Sequence, residues 1–212
     1  MNLTLFQRRL SDHFEQLASL RRVREERSGS SSPVYFIEHQ LTRGEVSDLV
    51  ELVSHRLKGH QISEQSWRQY SLTLIVAAVE VGYHYRGAGN DFWPRLSIAL
   101  KRSEISIGER AALKEIFIGA ASKYHGALPH STPWSEAFHI IAWPITHAVA
   151  PIEFHRYLAQ LLSMLQHNIS SAGDEALSEL LRKSAKNSGS RLRSFIHNDA
   201  LIAPLAKALL RE

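Results

Sequence analysis

Twelve histidines and no cysteine make imidazole the first side chain to weigh for chemistry. It both ligates metals and exchanges protons near neutral pH. Glu51 with His55 and Glu80 with His84 stand four apart, and Glu136 with His139 three apart, so each pair shares a helix face. A Glu-x-x-His pair is half of a di-metal helical bundle, which needs a second such pair and two more inward Glu. Only one pair is present, and His-Glu-x-x-His is missing, as is His-x-x-x-His. No metal or other cofactor is therefore expected. A nucleophile is equally unsupported, because no Gly-x-Ser-x-Gly elbow occurs and there is no thiol.

The stretch GYHYRGAGNDFWPRL, residues 82–96, offers glycines that could cradle a phosphate. Its third fingerprint position holds Phe92, a helical pattern precedes it, and no Walker lysine follows. A helix elbow fits better: the glycines permit positive φ, Asp91 can cap the next helix, and Pro94 suits that helix's first turn. An elbow does not require Tyr83, His84, Tyr85, Arg86, Phe92 and Trp93 around it. Such rings either close a core beneath the loop or form a stacking surface for bases or partner side chains.

Those groups must be carried by helices. Leu3, Phe6, Leu10, Phe14, Leu17 and Leu20 recur at three and four, predicting one apolar stripe on a long N-terminal helix. SGSSSP (28–33) breaks the chain, and VYFIE after it is the one hint of a strand. Capping-box spacing at Thr42 with Glu45 and at Ser106 with Glu109 predicts helix starts, with stops near Gly59 and Gly126. Ser63 is a further candidate cap. Between them Trp67, Tyr70, Leu74, Ala77, Ala78 and Val81 make a stripe that Ile75, Val76 and Val79 widen until most of the surface is apolar. This predicts a central helix over 66–82, covered on several sides. A short helix through Ala137, Ile140 and Ile141 should end at Pro144, and another begin at Pro151. The fold expected is all-α, an irregular multi-helix domain of eight to ten helices around the central one. It divides into a basic amphipathic helix at 1–27, a core at 34–170 and C-terminal helices at 171–212. LAKALLRE carries no stop signal, which suits either a natural end or a lead into a longer protein.

The formal charge of +4 comes from the two ends. Residues 1–27 hold six Arg against four acids, and 174–212 hold seven basic residues against five acidic. This excess permits nucleic-acid contact without requiring it, since strong nonspecific binding neutralises several phosphates from one face. Arg8, Arg9, Asp12 and Glu15 interrupt the apolar run a signal peptide would need in MNLTLFQRRLSDHFEQL, so that stretch is not expected to be one, and LTLIVAAVEVGYHY, interrupted by Glu80, is too short to span a bilayer. A cytoplasmic protein without membrane contact is expected.

Three motif sets resemble known families. Tyr83-x-Tyr85-x-Gly87, then Phe92-Trp93-Pro94, and about fifty residues later Pro144-Ile145-x-His147-Ala148-x-x-Pro151 are similar to a helical region near the N-termini of large bacterial proteins of mobile-element and anti-phage defence islands. The likeness covers residues 70–165, and this chain has two extra residues between the glycine and Phe92. It implies a recognition or scaffolding domain of a defence machine, meeting nucleic acid, a partner subunit or a downstream domain. Tyr83, Tyr85, Arg86, Phe92, Trp93 and His147 are the binding candidates. Zorya-like helical domains with a paired Glu and His are a second resemblance, with Glu80 or Glu115 and His125 or His155 in that role. The third is Arg8-x4-His13, the spacing of helical HEPN ribonucleases, which implies a metal-independent nuclease as the alternative. Whether the chain is an enzyme stays open, with a binding domain as the leading expectation.

Overall fold

The computed structural model describes residues 2–28, 33–84, 92–128, 143–144, 147–148, 179 and 182–183. Among these the regular structure is helical, with no strand. In order come α1 (Leu3–Ser28), a 3-10 turn (Phe36–Glu38), α2 (Arg43–Arg56), α3 (Glu64–Trp67), a second 3-10 turn (Arg68–Tyr70), α4 (Ser71–Tyr83), α5 (Phe92–Ala99) and α6 (Ile107–Tyr124). The chain divides into two compact units, residues 1–149 and 150–212. In the second, Glu179, Arg182 and Lys183 are helical, and Lys183 pairs with Glu179 at 2.8 Å.

In α1 the Asn2 side chain accepts from Leu5 N–H, filling one of the donors a helix start leaves unpaired. Phe6, Leu10, Phe14 and Ala18 then form the buried line. Steps of four overrun the 3.6-residue turn, so the line drifts, and its next position is Arg21. Arg21 reaches the Pro33 carbonyl and the Glu38 carboxylate. Leu20, expected in the stripe, is 61% exposed for the same reason.

Capping decides where the shorter helices start. The Thr42 hydroxyl accepts from Glu45 N–H while the Glu45 carboxylate accepts from Thr42, and Ser106 with Glu109 repeats the box at α6. Ser63 caps α3 against Ser66. After Leu57 closes α2, Gly59 turns the chain at a φ of +77°, which costs a glycine little. The single helix expected over 66–82 is instead divided. Gln7 on α1 offers its side-chain oxygen to the N–H groups of Leu72 and Thr73, and this external acceptor lets α4 begin afresh at Ser71.

Every residue of α4 from Leu72 to Val79 is buried, and α1, α2, α5, α6 and the Phe36–Glu38 turn all touch it. The expected central helix is thus present, shortened at its start. VYFIE does not make a strand. Val34 forms one isolated parallel bridge with Gly126, through Val34 N–H to the His125 carbonyl and Ala127 N–H to the Val34 carbonyl, both 2.9 Å. The chain then turns into 3-10 geometry.

Glu109 ties α6 to the chain ahead of α3. Its carboxylate accepts from the N–H groups of Ser106 and Ile62, at 2.9 and 3.0 Å, and pairs with Arg102 at 2.9 Å. Burial works to raise its pKa, but these donors and Arg102 outweigh it and hold the carboxyl below the usual range. Glu109→Ala should therefore destabilise the fold by about 3–5 kcal/mol, because it leaves buried donors unpaired. Urea unfolding checks this, and Glu45→Ala, at an exposed box, should shift the midpoint much less.

Candidate functional site

Between α1 and α2, residues 33–42 hold only the Phe36–Glu38 turn as regular structure, so most of their polar groups need partners from elsewhere. The surrounding helices supply them. The His13 ring donates from Nε2 to the Glu38 carbonyl at 2.6 Å. The Glu38 carboxylate accepts from Tyr35 N–H at 2.8 Å and from Arg21. Phe36 N–H donates to Nδ1 of His147 at 3.3 Å.

His147 is fully buried and lies nearly parallel to three rings. The Phe36 ring is 4.3 Å away at 25°, Phe117 5.6 Å at 29°, and Trp143 6.1 Å at 17°. Because Nδ1 accepts, the ring proton is assigned to Nε2, which has no hydrogen-bond partner among the described residues. Trp143 Nε1 is unpartnered in the same sense. Burial pushes the His147 pKa down to about 3. Trp143, Pro144 and His147 have helical backbone, and Ala148 N–H bonds to the Pro144 carbonyl at 3.0 Å. The helix expected through Ala137, Ile140 and Ile141 to Pro144 lies mostly outside the described residues, of which Trp143 and Pro144 are helical.

Two glycines let this corner approach. A Cβ on Gly82 would meet the Pro144 carbonyl oxygen at 3.0 Å. A Cβ on Gly126 would meet Ala121 Cα at 2.8 Å and His147 Cε1 at 3.3 Å. His147 is therefore wedged between the ends of α4 and α6 as a neutral core ring.

The rings around the elbow divide. Phe92 and Trp93 are buried, 5.1 Å apart and edge to face at 79°, with the Arg110 guanidinium 5.0 Å from the Trp93 ring. Both point inward and close the core under α5, which leaves neither a free face for a base. Tyr83 is half-buried, and its hydroxyl pKa is raised by burial first and the Glu80 charge second. Tyr85, Arg86 and the elbow glycines lie outside the described residues.

At the end of α4 a second polar cluster gathers. The buried His39 accepts Leu41 N–H on Nδ1 at 3.0 Å, which assigns its proton to Nε2, and that nitrogen donates to Glu80 Oε1 at 2.8 Å. Gln40, at a φ of +56°, makes the tight turn between them. The other Glu80 oxygen lies 3.7 Å from Nε2 of the exposed His84. The i,i+4 spacing of Glu80 and His84 was visible in the sequence. His39, 41 residues from Glu80, left no signal.

The remaining candidates are dispersed. His125, left-handed at the end of α6, has Nε2 3.1 Å from Glu25 of α1. His84, His125 and His147 therefore occupy three settings, while Glu136, His139 and His155 lie outside the described residues. Arg8 and His13 are five positions apart, about 140° around α1, with Arg8 exposed and His13 held by Glu38. Among the described residues no group of three or more His, Asp or Glu could hold a metal ion. No helix among them is long and apolar enough to cross a membrane. No family model, curated protein or solved structure matches the chain.

The burial of His147 sets a pH dependence. Its folded pKa of about 3 lies below its ordinary 6.5, so between these values the unfolded chain binds a proton that the native state does not. Stability from this group is full above 6.5 and declines as pH falls toward 3, by about 1.4 kcal/mol per unit. Urea unfolding of wild type and His147→Phe at pH 7 and pH 5 should show the variant losing less stability over the interval. Equal losses would mean that His147 does not govern it.

Proposed function

We propose that this chain is a recognition or scaffolding domain of a bacterial anti-phage defence protein, acting in the cytoplasm and binding nucleic acid or a partner subunit. One observation supports this most. α4, buried from Leu72 to Val79, delivers half-buried Tyr83 and exposed His84 at its end, directly ahead of Tyr85 and Arg86 in the sequence. A buried helix that ends on aromatic and polar residues is a common way for a fold to present a contact surface. Further helices from residues 129–212 would bring the total to the eight to ten expected.

In this reading His147, Phe92 and Trp93 serve the surface indirectly, by fixing the two corners of the core. The contact itself falls to Tyr83, His84, Tyr85 and Arg86.

Anisotropy titrations with labelled single- and double-stranded oligonucleotides, alongside pull-down with the chain's genomic neighbours, test the reading. Tyr85→Ala and Arg86→Ala should each weaken binding about tenfold or more, as loss of a stacking ring or a charged contact does. Binding to every ligand that survives both substitutions would refute the surface. Metal-independent RNA cleavage lost in His13→Ala would instead select the Arg8/His13 ribonuclease alternative.

A further inference from the structure

We propose that the Glu80 carboxylate at the end of α4 is a docking point for a cationic side chain, an arginine or lysine of a partner polypeptide. The inference rests on the recognition reading and narrows the partner to a protein segment.

The two oxygens of Glu80 are unequally provided for. Oε1 takes the Nε2 proton of His39. His39 cannot carry a proton on Nδ1 as well without losing its bond from Leu41 N–H, so it gives Glu80 a hydrogen bond but no compensating charge. Among the described residues Oε2 has only His84 nearby, and 3.7 Å is beyond hydrogen-bond reach.

Glu80 is meanwhile only 16% exposed, so water solvates its charge poorly. Among the described residues the groups facing it are His39 from the loop, with Tyr83 and His84 from the end of α4. The last carbonyls of α4 add partial negative charge at the same end.

The His84 side chain is 61% exposed and stands 3.7 Å from Oε2, so a guanidinium or ammonium can approach that oxygen from outside. The Tyr83 and His84 rings, edge to face at 5.2 Å, border the opening and suit a flat cation. A phosphate would meet the uncompensated carboxylate and be repelled, which favours a basic protein segment over nucleic acid.

The test uses the full chain with histidine ring resonances followed by NMR at pH 7.5. The probes are N-acetyl-Gly-Arg-Gly-amide and its citrulline counterpart, which keeps the shape and loses the charge. The arginine peptide should shift the His84 resonance saturably, the citrulline peptide should not, and Glu80→Gln should abolish the shift. No saturable shift, equal shifts from both peptides, or a shift that persists in Glu80→Gln overturns the proposal. An oligonucleotide that binds independently of Glu80 but loses binding in Tyr85→Ala also overturns it, while leaving the recognition reading intact.

Discussion

An irregular stretch of backbone cannot pass between helices unless its polar groups are paired, and residues 33–42 make that passage here. Their partners come from almost every neighbour. Arg21 and His13 reach in from α1, His125 and Ala127 from the end of α6, His147 from the 143–148 corner, and Glu80 from α4 through His39. An unpaired buried amide or carbonyl would cost about 1–3 kcal/mol, so these contacts act as constraints on the placement of each helix. The apolar core around α4 supplies the driving force, but it is directionless. The hydrogen bonds to this segment select one arrangement among the many that would bury α4.

The same constraint positions the polar clusters. His147 must stay neutral and stacked to accept from Phe36, which requires Gly82 and Gly126 to admit the corner. His39 must orient its ring to serve both Leu41 and Glu80, which requires the left-handed backbone at Gln40. One histidine is thereby used up inside the fold, whereas the other prepares a carboxylate at its surface. Two buried imidazoles of similar exposure thus have different consequences, decided by what lies at the second nitrogen.

Much of the helical framework could be read in the sequence because its causes are local. Thr42 with Glu45 and Ser106 with Glu109 start helices through contacts three residues apart, and the breadth of the apolar surface from Leu72 to Val79 announced a buried helix. The departures arise where a distant residue intervenes. Gln7 gives α4 its own start, Arg21 takes the stripe position that follows Ala18, and the Val34–Gly126 bridge spends the apparent strand on a single pair. The candidate site was legible in the same proportion. Glu80 and His84 share a helix turn and were visible, while the His39–Glu80 contact depends on the long-range path of the 33–42 segment. Whether Phe92 and Trp93 point inward depended on a packing partner, the space beneath α5, that composition does not encode.

The central claim is that side chains from three directions and the backbone after α6 lock residues 33–42 into the core, and native-state hydrogen exchange tests it most directly. The amides of Val34, Phe36 and Leu41 should exchange as slowly as those in the middle of α4, since each is bonded to an atom that only global unfolding releases. Exchange of these three amides at the rate of an open loop, with α4 still protected, would contradict the account.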